Sequence, residues 1–501
     1  MSTKKEKVMN NAKELDVKVK FGLKSFIAVV AILLAVLIFV GILTFVIPAG
    51  RYTIYTKDES KADEPFYQYT EDPSLDKQIV IDSYRELTPE ENTSRLPVLR
   101  WLTSPFEALV LGSNSANMIM IIALLLVLGG TFKVLEESGG LVSLVRVIME
   151  RLHAKRFVAV WIITAVIMIL SAVFGLQEQL LILYPIFAML CTALNWSRFT
   201  AISFVLIASG VGFTTAITNP LTIGTASIAA GVSVTDGMWY RCVIFCVMYV
   251  VTSLFLMYLA KRDEKKATEK FDLQNFAMVS KEEHKEDIRK AKMITALFSI
   301  ALLSVIITTA IDSLRSLAMV FMAVAFIFGT VIIGKLLLGT YKKLGKCFIK
   351  GVKDVLPSIV IIMIAFGITY IAQQGNILHT IFHYFYNSVT NISPYLAVVI
   401  LYAFVLIIEF FIPSASAKAV LIIPMLTLAP IEGISKTVII LTYLFADGYT
   451  NVLYPTCGTL LVGLGLADVS FSEWFKKTIL FQLLLMVLSL AFLMLAVFIG
   501  L

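Results

Sequence analysis

Gln177-Glu178-Gln179 running into Tyr184-Pro185, and Ser414-Ala415-Ser416-Ala417-Lys418 running into Ile423-Pro424, are the two stretches whose reading decides the fold. Each places a short polar run between two apolar segments, the second of which carries a proline. Downstream the correspondence continues. Gly212-Phe213-Thr214-Thr215 answers Gly448-Tyr449-Thr450-Asn451, Asn219-Pro220 answers Tyr454-Pro455, Gly231 answers Gly465, and Trp239 answers Trp474. Matching landmarks stand roughly 235 to 240 residues apart, as an internal duplication filling most of the chain requires. Hydrophobic segments broken at corresponding places in two copies are the best sequence pointer to the binding site of a secondary transporter.

The chain is a membrane protein by composition. Of its 501 residues 58% are hydrophobic and 15% charged, with a mean hydropathy of +0.86, more apolar surface than a soluble domain uses. Segments 25–47, 116–132, 237–260, 293–311, 317–334 and 477–500 are apolar on all sides. At about 1.5 Å per residue they reach across a hydrocarbon core of ~30 Å, so each is a predicted transmembrane helix. The first is too long in its apolar core for a cleavable signal and lacks a small-residue cleavage site.

The net charge of +7 comes from lysines and arginines that mark one side of a membrane, so no nucleic acid is expected as a partner. Lys4 to Lys24 precede the first helix, a second cluster runs from Lys261 and Arg262 to Lys292, and a third comprises Lys335, Lys342, Lys343, Lys346 and Lys350. By the positive-inside tendency all three are cytoplasmic. Residues 49–100 mix acids with aromatics, and 375–394 contain no Lys or Arg; both are predicted to be external. The N-terminus is then expected in the cytoplasm and the C-terminus outside.

Tracing the chain by this rule makes the polar breaks informative. Residues 157–174 enter the membrane from the cytoplasm, and 179–194 are followed almost at once by Arg198, another cytoplasmic mark. Two full crossings satisfy this, and so does a re-entrant hairpin with Gln177-Glu178-Gln179 near the midplane. The second copy offers the same choice with opposite polarity: 394–411 re-enters towards Ser414, and 417–430 goes back out. After each hairpin comes an interrupted segment, 199–213 with 220–231 and 437–446 with 453–466. Backbone that stops being helical within a bilayer must be buried in protein or line a wet cavity, so the breaks are expected to converge on one site.

The expected fold is therefore an all-α polytopic membrane protein of two inverted repeats, with about nine transmembrane helices plus two re-entrant hairpins. Its parts are a cytoplasmic N-terminal segment (1–24), the first helix with an external segment (25–115), repeat 1 (116–260), a cytoplasmic linker (261–292), a middle helix pair (293–354) and repeat 2 (355–501).

Half-helices ending at such breaks present unpaired N–H groups with partial positive charge, which hold carboxylates, or unpaired C=O groups, which hold cations. Gln177, Thr214, Thr215, Asn219, Ser414, Ser416, Thr450 and Asn451 add neutral donors and acceptors able to hold the backbone groups of an amino acid. Small polar residues also serve helix packing in membranes, so either role is open for each. Charges discriminate better, because an ionised group in the bilayer needs a partner or a role. Glu178, Asp447 and Lys418 fall at breaks and Glu409 just before one. Three acids against one lysine favour a cationic substrate, or an acid that carries a coupling proton. Lys418 is open to three readings: a partner for a substrate carboxylate, a stand-in for a sodium ion, or the structural partner of Asp447 or Glu178. Glu136 and Glu137 are expected to cap helix ends at the interface.

Chemistry other than transport has no foothold in the residues. Cys191, Cys242, Cys246, Cys347 and Cys457 mostly fall within apolar segments as small fillers, and His379 and His383 share a face of an amphipathic stretch as interfacial residues. No nucleophile elbow, phosphate loop or metalloprotease motif occurs, and no cofactor is expected beyond a coupling Na+ or H+. A non-transporting scaffold would tolerate apolar replacements at the breaks, and a channel would show a filter ring.

Ile47-Pro48-Ala49-Gly50, Asn219-Pro220-Leu221-Thr222-Ile223-Gly224, the Ser414-to-Pro424 hairpin and Asp447-Gly448-Tyr449-Thr450-Asn451 together resemble the YfcC-type branch of the DcuC-like anaerobic dicarboxylate carrier family, within the ion transporter superfamily. The resemblance covers nearly the whole chain. It implies a homodimer with a static scaffold and a moving transport domain working as an elevator. The branch implies basic amino acids, in arginine/ornithine-type exchange or ion-coupled uptake, as the small-molecule substrate; relatives imply four-carbon dicarboxylates. The chain departs from the superfamily's Ser-Asn-Thr tips at Ala415 and at Gln177-Glu178.

Overall fold

The computed structural model describes residues 23–59, 66–71, 80, 83–112, 115–152, 155–266, 281–311, 317–389, 392–428 and 433–501. The lysines at 4–20 lie outside the described residues. The chain opens with α1 (Leu23–Val46), apolar along its length, and then a segment of short strands. In it β1 (Gly50–Arg51) pairs antiparallel with β4 (Arg85–Glu86), and β2 (Ile54–Thr56) pairs parallel with β3 (Tyr67–Tyr69). Two short helices follow, α2 (Val98–Trp101) and α3 (Ser104–Leu111).

The first copy comprises α4 (Ser115–Glu137), α5 (Gly140–Leu152), α6 (Arg156–Phe174), a 3-10 turn Gln179–Leu183 leading into α7 (Tyr184–Ala193), α8 (Arg198–Thr215), a π turn Pro220–Gly224 leading into α9 (Thr225–Ala230), and α10 (Met238–Lys266). A pair, α11 (Lys281–Ala310) and α12 (Ala318–Leu338), separates it from the second copy. That copy comprises α13 (Tyr341–Gln374), α14 (Ile377–Val389), α15 (Pro394–Phe411), α16 (Ala415–Leu428), α17 (Lys436–Ala446), a 3-10 turn Thr450–Val452, α18 (Gly458–Ala467) and α19 (Phe471–Phe498). The order of elements in the first copy is thus repeated, down to a short turn after each broken helix.

Local chemistry accounts for these boundaries. Ser197, Ser393, Ser435 and Ser470 each accept a hydrogen bond from the backbone N–H three residues on, capping α8, α15, α17 and α19. Pro185 and Pro394 sit in the first turns of α7 and α15, where the missing N–H is no loss. The segment 140–152 has apolar residues on one face only and lies across α7 and α11, with Arg146 ion-paired to Asp287.

Packing separates interior helices from a lipid-facing belt. Every residue from Phe199 to Thr215 of α8 is buried, and likewise Val438 to Ala446 of α17. In each copy the broken helix packs against the two helices before it, α8 against α6 and α7, and α17 against α15 and α16. The copies also interlock, since α9 packs on α16 and α18 on α7. Outer helices keep large apolar side chains exposed: Val243 and Leu254 on α10, Ile332 and Leu336 on α12, Leu480 and Val487 on α19. Exposure of that kind fits acyl chains.

Among the described residues 9 helices are long and apolar enough to span a membrane. The number agrees with the expectation but the membership does not. The set takes in α6 and α15, of 19 and 18 residues, which the sequence reading assigned to hairpin arms. It leaves out the second broken helix, in pieces of 11 and 10 residues, and α1, of which Val30–Val46 is the unbroken run of described side chains. The described residues of the linker predicted over 261–292 are helical, because α10 continues to Lys266 and α11 begins at Lys281 on charged turns that project beyond the apolar stretch. Residues 267–280 lie outside the described residues.

The strand segment grips the turn between α13 and α14. Asn92 Nδ2 donates to Gly375 O at 3.4 Å, Ser94 Oγ to Gln374 O at 2.9 Å, and Asn376 Nδ2 to Asn92 Oδ1 at 2.9 Å. His379 Nδ1 accepts the Tyr52 N–H at 3.1 Å, and Tyr84 stacks on the His383 ring with centroids 3.9 Å apart. Burial, reinforced by Arg51, depresses the His379 pKa from 6.5 to about 4.

Candidate functional site

Between α4 and α13 on one side and the hairpins on the other lies a cavity of about 670 Å³, within the ~300–1,000 Å³ of small-molecule sites. Over most of its length the α4–α13 wall is apolar, with Leu125, Leu128, Phe132, Val355, Ile362 and Phe366. These two helices cross closely: a Cβ added at Gly129 would stand 2.7 Å from Gly351 O. The opposite wall is polar. It is formed by Gln177, Glu178 and Gln179 after α6, Pro220 and Leu221 after the α8 break, Ser414 and Ala415 after α15, and Asn451, Thr456 and Thr459 around the start of α18. At the end nearest the C-terminus of α4 the lining carries Lys133, Glu136 and Asp354.

Four helical segments therefore begin at this cavity, at Gln179, Pro220, Ala415 and Gly458. The first N–H groups of a helix have no intrahelical acceptor and carry its positive pole. Donors of this kind suit a carboxylate, except at Pro220, which has no N–H and whose neighbour Leu221 donates to Asn219 Oδ1.

Behind the polar wall the two copies are stitched together at their breaks. Thr214 Oγ1, near the end of α8, donates to Asp447 O at 3.0 Å and accepts from the Tyr449 N–H at 2.8 Å. Gln177 Nε2 donates to Gly448 O at 3.1 Å, while Asn451 Nδ2 donates to Gln177 Oε1 at 3.1 Å and to Asp447 Oδ1 at 2.9 Å. Gly448 is required here. Its φ is +77°, and a Cβ would fall 2.5 Å from Thr214 N and 2.8 Å from Gly210 O. On the second hairpin Tyr443 OH donates to Ala415 O at 2.6 Å, and Lys418, paired with Glu409, stands 3.6 Å from Asp447 Oδ1. Thr369 on α13 donates to Phe411 O at 3.1 Å, satisfying the last turn of α15.

A family profile described as DcuC, the C4-dicarboxylate anaerobic carrier, matches residues 26–498. The chain belongs to this carrier family. It is a multi-pass membrane protein and a transporter by that membership. Among its relatives, the "Putative basic amino acid antiporter YfcC" of Escherichia coli is 24% identical over 474 residues, covering 88% of this chain and 91% of the relative. An uncharacterized protein of Haemophilus influenzae is 22% identical over 499 residues, covering 92% and 95%. The crystal structure of the Alcanivorax borkumensis YdaH transporter overlaps 95% of this chain and 99% of its own at 15% identity, with a TM-score of 0.41.

In this carrier the predicted site residues fall into distinct places. Gln177, Glu178, Ser414 and Asn451 line the cavity. Thr214, Asp447 and Lys418 form the network behind its wall. Asn219 also lies behind it, capping the π turn through its 2.9 Å bond from Leu221 N; its Oδ1 fills the space a Cβ at Gly175 (φ +74°) would need, and its Nδ2 has no partner. Thr215 and Thr450 spend their hydroxyls on carbonyls of the preceding turn, Gly212 O and Ala446 O. The Ser416 side chain lies outside the described residues.

Glu136 does more than cap a helix. It pairs with Lys133 at 2.8 Å and both line the cavity, whereas Glu137 pairs with Lys350 at 3.2 Å. Sequence reasoning missed Asp354, Lys133, Thr456 and Thr459. The two threonines were within reach of it, since they follow Tyr454-Pro455 where the repeat pattern already marks a break. Nothing in the sequence around Asp354 singles it out.

Proposed function

We propose that the chain is a secondary active transporter of amino acids across a bacterial inner membrane, exchanging basic amino acids of the arginine/ornithine type. The charge of the cavity lining carries this reading: Glu136, Glu178 and Asp354 stand against Lys133, three carboxylates to one ammonium. That lysine is already engaged by Glu136. A dianion would meet excess negative charge, whereas an α-carboxylate can sit on the helix starts while a guanidinium or ammonium reaches an acid. The name of the E. coli relative points the same way.

The architecture supports a moving-site mechanism. The tips of both hairpins join through Asn451, since Gln177 bonds it directly and the Lys418–Asp447 pair bonds it from the second hairpin. Tips that meet at one point are accounted for if both hairpins turn back inside the bilayer and the two copies are inverted with respect to each other, with the N-terminus cytoplasmic and the C-terminus outside. In this reading α4 and α13 give the static apolar wall of a homodimeric scaffold. The hairpins and broken helices slide past it as the transport domain of an elevator.

The family's description keeps a second reading open, a four-carbon dicarboxylate, and the four helix starts at the cavity favour it over other anions. Proteoliposomes preloaded with ornithine decide between the two. Labelled arginine should enter by counterflow and labelled succinate should not. Entry of succinate alone would replace the first reading by the second, and entry of neither under any preload or ion gradient would refute both.

A further inference from the structure

One cationic side chain is sealed into the core behind the cavity. Lys418, in the first turn of α16, is 0% exposed, as is Asp447, and Glu409 is 1% exposed. Its Nζ pairs with Glu409 of α15, stands 3.6 Å from Asp447 Oδ1 at the end of α17, and lies 5.6 Å from the centre of the Tyr443 ring. Two further polar groups bear on Asp447. The Tyr443 hydroxyl is 3.5 Å from Asp447 Oδ2, and Asn451, 5% exposed, holds Asp447 Oδ1 through its amide nitrogen while its own Oδ1 has no partner.

Two carboxylates converging on one buried point are hard oxygen donors of the kind that hold an alkali-metal ion. The cluster is not needed to hold these helices together, since well-packed apolar side chains do as well as a buried ion pair. It also sits at the junction that matters for movement. α15 and α16 are the arms of the second expected hairpin and α17 the broken helix that follows, and Asn451 connects the cluster to Gln177 in the cavity wall.

We propose that Lys418 is a tethered counter-cation: its ammonium occupies, between Glu409 and Asp447, the place a free alkali-metal ion would otherwise fill. This rests on the carrier reading above and extends it to the energy source. The cation moves with the hairpin and cannot be released on either side of the membrane. Exchange by this chain therefore requires no inorganic cation and draws on the substrate gradient alone.

The test compares the full-length protein with Lys418→Ala, first by thermal unfolding in detergent with NaCl, LiCl or KCl against choline chloride at equal ionic strength. The wild type is expected to melt at the same temperature in all four salts. In Lys418→Ala the vacated oxygen cage binds a small cation, which should raise the melting temperature saturably by about 2–4 °C. In proteoliposomes, wild-type exchange is expected to be unchanged when choline replaces sodium on both sides. A fall of more than about threefold in choline, or a folded Lys418→Ala indifferent to all three metal ions, would overturn the proposal. Should Lys418→Ala fail to fold, the choline experiment on the wild type decides alone. If no tested substrate exchanges, the substrate reading fails, and the melting series on Lys418→Ala still tests this one.

Discussion

Glu178→Gln removes one negative charge from the cavity wall and leaves its shape in place. Glu178 precedes the 3-10 turn Gln179–Leu183 without capping it, and its carboxylate has no hydrogen bond or ion pair to another described residue. Its loss therefore breaks nothing that holds the fold, and the change in stability is expected to stay within about 0.5 kcal/mol. For a cationic substrate the change removes a charge-assisted hydrogen bond, worth about 2–3 kcal/mol. At about 1.36 kcal/mol per decade this is an apparent affinity weaker by about 30- to 160-fold. The assay is half-saturation of arginine counterflow in ornithine-loaded proteoliposomes, set beside a thermal unfolding curve of the same preparation. The reasoning is refuted if half-saturation moves less than about threefold, or if stability falls as steeply as affinity, because Glu178 would then be a structural group.

Three further outcomes follow from the geometry. Asp447→Asn leaves Lys418 with Glu409 as its remaining acidic partner and weakens the bonds from Gly448 N and Asn451 Nδ2, so a stability loss of about 2–4 kcal/mol together with lost exchange is expected by thermal unfolding and counterflow; unchanged values for both would remove it from the network. Gly448→Ala forces a Cβ at φ +77° to within 2.5 Å of Thr214 N, whereas Gly231→Ala at φ +66° meets nothing within 4 Å. The second should lose only the left-handed penalty of about 1–2 kcal/mol, and the first clearly more, on the same unfolding assay. His379 is held neutral in the fold with its pKa lowered from 6.5 to about 4, so the unfolded chain binds the extra proton between those values. Stability should be complete above pH 6.5 and fall by up to about 3 kcal/mol as pH drops to 4, and His379→Gln should flatten that slope in a melting series.

Much of the fold was legible because its signals are short-range. Apolar stretches about as long as a bilayer is thick, serines at helix starts, and the glycines and prolines that end helices are decided within a few residues, so nearly every helix centre was placed from the chain alone. The recurring order of elements was legible for the same reason, since both stretches stop helices with the same local chemistry. Boundaries went astray where charge and helicity coexist: α11 begins at Lys281 and α13 at Tyr341, well before their apolar stretches, because a lysine-rich turn is a good helix former once it leaves the bilayer.

The site divides along the same line. That Gln177, Glu178, Ser414 and Asn451 flank breaks is a property of the sequence, and these are the predicted residues that reach the cavity. That Lys418 takes Glu409 and Asp447 together, that Thr214 closes the opposite copy's break, and that Glu136 and Asp354 enter the cavity from α4 and α13 was decided only by tertiary packing. Hydropathy and helix caps are set by neighbours along the chain, whereas the pairing of charges depends on which helices cross and at what height. The observed crossing brings different side chains from the two halves to the cavity, so a similar order of elements yields an asymmetric lining.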